Sequence, residues 1–341
     1  MLLNSIFYLI TIFIVLFFFF KKTQLLIDDR SFSVHKNLAQ NKKTPIVIGG
    51  IYIYIIFCYF FPNEFFNLKI FGLLILLIGL SSDKNFFVNP LLRLLVQIFI
   101  LSLLVNLDSI YIKSINIEFI DNLLKYEITN IAITVFCFLV LINGSNFLDG
   151  LNGLLSGYFI LVILSLIFID INNPEITIKN LDQIKILLIG LLIFIIFNFL
   201  GYCFLGDGGA YLISLILGLF LIQNYNNNFF ISPYFVALML WYPAFENLFS
   251  LSRRIYLKSK VSKPDNFHLH QLILKLLKKK VAVKYLNSTT SFVILFYNFI
   301  IFGISLKYYY HSKILITLIL FNILVYLSLY YFLSKNFVSK K

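Results

Sequence analysis

Eleven apolar runs, separated by short clusters of charge, dominate this chain and leave it few ways to fold. They fall at approximately 3–20, 45–61, 67–82, 91–106, 129–143, 154–170, 185–201, 209–223, 229–250, 290–306 and 314–333. Each approaches the length needed to cross a bilayer as a helix. In lipid only helices and closed barrels satisfy every backbone N–H and C=O. Sustained alternation of apolar and polar residues is missing, which argues against an outer-membrane barrel. Of 341 residues, 60% are apolar and only 13% charged, against roughly 25% charged in soluble domains. Disorder, a disulfide scaffold and a soluble enzyme are excluded. Cys58, Cys137 and Cys203 are scattered and odd in number, and carry no redox or metal assignment. The expected fold class is all-α: a polytopic membrane bundle of about 11 transmembrane helices, forming a single domain over residues 1–341.

Eleven crossings place the two chain ends on opposite sides. Of 28 Lys and Arg, 21 then fall on one side, in 21–44, 81–93, 251–289 and the tail from 334. The positive-inside rule makes that side cytoplasmic, with the N-terminus out and the C-terminus in. The first run opens without a basic residue and no alanine precedes Ala39, so it reads as an uncleaved anchor. The net charge of +13 thus reports topology and attraction to anionic lipid. It does not point to nucleic acid, because the basic residues spread over loops instead of one face.

With this parity the distinctive polar residues gather on the cytoplasmic side. Asp83 closes the third run. Asn143-Gly-Ser-Asn146-Phe-Leu-Asp149-Gly-Leu-Asn152-Gly follows the fifth, and Phe204-Leu-Gly-Asp207-Gly-Gly precedes the eighth. Pro264-Asp265-Asn-Phe-His268-Leu-His270 lies in the cytoplasmic loop 251–289. Three isolated carboxylates at span ends on one face suit a divalent cation and phosphate, since Mg²⁺ takes one or two carboxylates plus phosphate oxygens and water. Each feature has a plainer reading. Asp83 could cap a helix, and the asparagines at every third position could bond between helices. The glycines around Asp207 resemble a phosphate-cradling turn, or simply join two spans. His268 and His270 lack zinc spacing and read as phosphate-facing or structural. Gln271–Lys280 reads as a basic amphipathic segment at the membrane surface.

In that order these residues resemble the polyprenyl-phosphate N-acetylhexosamine-1-phosphate transferase family (glycosyltransferase family 4), which includes undecaprenyl-phosphate N-acetylglucosaminyl-1-phosphate transferases. Asp28-Asp29-Arg30, His35-Lys36, Thr44-Pro45, Gly49-Gly50 and Pro90-Leu-Leu-Arg93 extend the match, as do Asn198-Phe199 and Arg253-Arg254. The resemblance implies transfer of a sugar 1-phosphate from a UDP-sugar to polyprenyl phosphate, with UMP released and a cell-surface glycan begun. It implies Mg²⁺, with Mn²⁺ as the alternative ion, a bacterial inner-membrane location with the site facing the cytoplasm, and a homodimer. Asp207 matches the principal metal ligand, Asp149 a substrate or metal acid, and Phe204 the position that stacks uracil. Asn143, Asn146, Asn152 and Asn198 match polar positions of the nucleotide pocket. Lys43, Arg93, Arg253 and Arg254 are candidate phosphate partners, and Asp83, Asp149, His268 and His270 the catalytic candidates.

One position departs from the family pattern: Ser82 stands where many members carry the first of two adjacent aspartates. The histidine motif ends His-Leu-His-Gln, which points toward the amino-sugar branch instead of the muramoyl-pentapeptide enzymes. Two other classes compete: a small-molecule transporter, and an inactive homologue that binds the lipid carrier. A transporter calls for polar breaks at mid-membrane depth and an internal repeat, whereas these motifs lie at one edge. An inactive homologue would tolerate replacement of Asp149 and Asp207.

Overall fold

A computed structural model describes residues 2–26, 45–84, 86, 89–258 and 267–338. Every apolar run in it is wholly or largely helical. The long helices are α1 (Leu2–Thr23), α3 (Phe66–Asp83), α4 (Pro90–Leu107), α6 (Glu127–Leu148), α7 (Leu154–Asn172), α8 (Leu181–Phe199), α9 (Gly206–Asn227), α13 (Val283–Ser305) and α14 (Ser312–Val338). Among the described residues these nine are long and apolar enough to cross a membrane. Shorter helices are α2 (Gly49–Phe60), α5 (Glu118–Leu124), α10 (Pro233–Met239), α11 (Trp241–Tyr256) and α12 (Leu269–Leu277). The fold is an all-α polytopic membrane bundle.

Two expected spans are not single full-length helices. The run at 45–61 opens as a strand, β1 (Ile46–Val47), paired in parallel with β2 (Cys203–Phe204). That leaves α2 with 12 residues, about 18 Å of rise and less than the hydrocarbon thickness. The run at 229–250 breaks at Leu240 into α10 and α11. Pro243 has no N–H for the carbonyl of Met239, four residues back. The buried Tyr158 hydroxyl donates to that carbonyl instead, at 2.9 Å.

Helix α9 is the axis of the bundle. It is apolar all round, and from Gly208 to Leu221 every residue is buried. Its first turn meets α2 and α3 at backbone contact. A Cβ at Gly79 would lie 2.2 Å from the Gly208 Cα, and one at Gly50 would lie 2.7 Å from the Gly209 N. Where lipid removes the usual hydrophobic drive between helices, small residues supply the close packing. Helices α6 and α11 meet the same way, with Gly144 against the Pro243 carbonyl.

The two ends of the bundle are knit differently. At one end Asn67 donates to Asp108, Lys179 N to Asn224, Thr177 N to Asn228, and Ser232 N to the Tyr309 carbonyl. Side-chain amides there close loops that have little regular structure of their own. The opposite end gathers the C-termini of α3, α6, α8 and α11 with the N-termini of α4, α7, α9 and α13. That end holds the distinctive sequence motifs.

Candidate active site

The turn that starts α9 is the focus of three carboxylates. Asp83, last residue of α3, accepts from the Asp207 N–H at 3.1 Å and the Gly208 N–H at 3.5 Å. Asp149, just past the end of α6, accepts from the Gly206 N–H at 3.0 Å. Asp207 sits in the first turn of α9. The β1–β2 pair delivers the chain into this turn, and Gly206 takes φ +76°, which favours glycine. A Cβ there would also stand 2.3 Å from Val47 Cγ1 and 2.7 Å from Asp83 Oδ2. The glycine therefore lets Asp83 approach the turn.

This corrects the cradle reading of 204–209. The amides of Gly206, Asp207 and Gly208 already donate to the chain's own carboxylates, so the turn organises acids and does not present bare N–H groups to a phosphate.

Asp207 is held from its other side. Its Oδ2 accepts from the Ser82 hydroxyl at 2.7 Å and lies 3.7 Å from Arg93 Nη1, which also donates to Ser82 Oγ. Arg93 is set by the start of α4, where Asn89 Oδ1 accepts from the Leu91 N–H at 3.0 Å and Pro90 occupies the first helical position. About a quarter of the Asp207 side chain stays exposed, so the acid is reachable. Among the described residues no group of three His, Cys, Asp or Glu closes around a metal position. The donor chemistry fits an open Mg²⁺ site, with one or two carboxylates from Asp207 and Asp149 and the remaining positions left to phosphate and water.

The asparagines divide. Asn143 donates to the Leu139 carbonyl of its own helix at 2.9 Å and to Gln97 Oε1 at 3.4 Å, and Asn146 reaches the Tyr211 hydroxyl at 3.4 Å. Both face neighbouring helices near the carboxylates. Asn152 is buried in the turn between α6 and α7. Asn198 is buried, at 3% exposure. Its Oδ1 accepts from the Gly153 N–H at 2.6 Å and its Nδ2 donates to the Cys203 carbonyl at 2.8 Å. It is a buried tie between the α6–α7 turn and β2, and Gly153 there holds φ +77°. Phe204 is half-buried in β2.

The histidines form a second group beside the first. His268 is 4% exposed, and its Nδ1 lies 2.9 Å from Oε1 of Glu246, itself 1% exposed on α11. The His268 ring is 4.6 Å from Phe147 and stacks on His270 at 5.5 Å. A Cβ at Gly150 would stand 3.7 Å from His270 Nε2, so His270 abuts the residue after Asp149. Both rings are buried rather than turned toward solvent.

Arg253 is not a free phosphate arm. It donates to the Phe267 carbonyl and to the Tyr330 hydroxyl at 2.7 Å, tying α11 to the segment before α12 and to α14. Arg254 is buried, at 7% exposure. Lys43 lies outside the described residues, as do Asp28-Asp29-Arg30, His35-Lys36, Thr44 and Pro264-Asp265-Asn266. Sequence reasoning missed Glu246, although it is the one acid in the run 229–250, where an ionisable residue marks function by default.

Residues 65–224 match glycosyl transferase family 4. The chain is also similar to the probable undecaprenyl-phosphate N-acetylglucosaminyl 1-phosphate transferase of Bacillus subtilis (strain 168), with 25% identity over 206 residues. That alignment covers 59% of this chain and 56% of the relative, so the chain spans just over half the length of the relative it matches. The matched segment contains Ser82, Asp83, Arg93, Asp149 and Asp207, the residues gathered at the start of α9. Residues 65–224 are the part of the chain that resembles glycosyl transferase family 4, and the carboxylate turn at the start of α9 falls within them.

Proposed function

We propose that the chain transfers a hexosamine 1-phosphate from a UDP-sugar to a polyprenyl phosphate on the cytoplasmic face of a bacterial inner membrane, releasing UMP. The observation that carries this reading is the arrangement at the start of α9. Asp83 and Asp149 bond the turn that presents Asp207, and Arg93 stands beside it. The lipid phosphate oxygen attacks the phosphorus that bears the sugar, the bond between the two phosphorus atoms' bridging oxygen and that phosphorus breaks, and UMP leaves with the electron pair. A phosphate whose second pKa is about 6 is already mostly dianionic at neutral pH, so the attacking oxygen needs no dedicated base.

Both reactants are polyanions; Asp207 and Asp149 would hold a Mg²⁺ ion, which when bound would offset their repulsion and polarise the diphosphate. Asp83 serves a different part. Bonded to two amides of the turn, it keeps α3 and α9 in register so that Asp207 faces the reactants. Arg93 steadies Asp207 through Ser82 and offers a guanidinium to phosphate oxygens. The Lys and Arg excess on the loops at this end supports the cytoplasmic assignment. The similar Bacillus subtilis protein, by its name, favours an N-acetylglucosaminyl donor and an undecaprenyl acceptor.

The test is an assay of membranes containing the chain, with Mg²⁺, polyprenyl phosphate and a panel of UDP-sugars labelled in the sugar. Label entering the lipid phase with one or more amino sugars is the expected result. No transfer with any donor would end the proposal.

A further inference from the structure

Buried acids in a membrane bundle are costly unless paired, and Glu246 is paired with a residue of the histidine motif. Its helix is fixed independently: Asn247 donates to the Val140 carbonyl of α6 at 3.1 Å, and Gly144 packs on the Pro243 carbonyl. Glu246 is therefore a rigid post, anchored to the same helix that ends in Asp149. From it runs a short line of contacts, Glu246 to His268 at 2.9 Å, His268 stacked on His270 with the rings 8° apart, and His270 Nε2 against Gly150. Phe147 closes the other face of the His268 ring.

We propose that Glu246 is a positioning residue: its carboxylate fixes the His268 ring, and through the stacked pair holds His270 against the turn that carries Asp149. A carboxylate behind an imidazole sets the ring's tautomer and orientation; where such an imidazole holds a metal its loss costs about 10- to 100-fold, which sets the scale looked for here. In this role Glu246 acts through the imidazoles. The activity arm of the test rests on the transfer reading above, and the labelling arm does not.

The experiment uses the full chain in lipid nanodiscs, comparing wild type, Glu246→Gln, His268→Asn and the double variant. Glu246→Gln is expected to lower kcat by about tenfold or more, with KM for the UDP-sugar moved less than about twofold. Its Tm should shift by no more than about 3 °C, because the amide fills the same space. The double variant should be no slower than His268→Asn alone, since the two residues act as one unit. Diethyl pyrocarbonate, which modifies unprotonated imidazole nitrogen, should label His268 at a rate severalfold different in Glu246→Gln, because the carboxylate sets the ring's nucleophilicity and orientation, with exposed His311 as the internal standard. Wild-type kcat in Glu246→Gln, multiplicative losses in the double variant, or unchanged His268 labelling would each overturn the proposal. Should Glu246→Gln not fold, the same quantities are read on Glu246→Asp, whose shorter carboxylate draws back from His268. If the wild type transfers no sugar, the function reading falls, and the labelling comparison still decides the role of Glu246.

Discussion

Substituting Gly79 with alanine tests whether the contact between α3 and α9 sets the carboxylates. The new methyl would lie 2.2 Å from the Gly208 Cα, 2.3 Å from the Gly208 N and 2.6 Å from the Asp207 carbonyl carbon. All three are backbone atoms, so no rotamer change relieves the clash. Reaching the 3.4 Å at which ordinary contact begins requires α3 to retreat by about 1.2 Å. Asp83 lies one turn further along the same helix, with its carboxylate 3.1 Å from the Asp207 N, and that retreat would carry it beyond hydrogen-bonding distance. Overpacking costs about 1–3 kcal/mol, and each charge-assisted bond lost adds about 1.5–3 kcal/mol. A misplacement near 1 Å at a reacting centre costs about 100-fold in rate. The assay is sugar-phosphate transfer to lipid beside thermal unfolding of the same preparation. Gly72→Ala on the same helix is the control, because its methyl meets only the Cδ1 end of the Leu212 side chain, at 3.1 Å, and should leave transfer near wild type. A Gly79→Ala protein that unfolds and transfers like the parent would refute the reasoning.

Three further substitutions separate structural from chemical roles. Asn198→Ala leaves the buried Gly153 N–H and Cys203 carbonyl unpaired, and unfolding should become easier by about 1–3 kcal/mol per group, read by thermal melting. Its KM for the UDP-sugar should hold, and a raised KM with an unchanged Tm would restore Asn198 to the nucleotide pocket. Tyr158→Phe strips the donor from the Met239 carbonyl at the α10–α11 break and should cost about 1–3 kcal/mol without touching catalysis directly, as measured by melting alongside transfer. Ser82→Ala removes one hydrogen bond from Asp207 and one from Arg93, so unfolding should become easier by about 1.5 kcal/mol, one hydrogen bond to a charged group, and transfer should drop by about tenfold. Parental rates in Ser82→Ala would show that Asp207 needs no such support.

The spans were legible because hydropathy at bilayer length is a local signal, and each run is wholly or largely helical in the structure. Of the two exceptions, only the run 229–250 carried a local mark; the strand that opens the run 45–61 depends on pairing with Cys203–Phe204. Pro243 lies inside the run 229–250, but the break it causes at Leu240 depends on Tyr158, 81 residues from the carbonyl it satisfies. The seven-residue α5 lies between the runs 91–106 and 129–143 and carries no bilayer-length apolar signal of its own. At the site, residue type and sidedness were readable, whereas partners were not. That Asp83 bonds the turn 124 residues later, and Asp149 one 57 residues later, is a property of how α3, α6 and α9 pack. Asn198 and Arg253 matched site positions by motif, yet their bonds to the Gly153 amide and the Tyr330 hydroxyl arise only in three dimensions. Glu246 stood in plain view within an apolar run, and only its pairing with His268 explains why it is tolerated there.

The most direct measurement follows the phosphorus itself. A UDP-sugar labelled in the phosphate that bears the sugar is given to equal amounts of folded wild type and Asp207→Asn, and lipid-borne label is counted. Label should reach the lipid with the wild type and fall by at least about 100-fold with Asp207→Asn, as expected when a group acting on the transferring phosphoryl is lost. Equal label in the two lipid fractions would mean that the turn at the start of α9 is not where the transfer occurs.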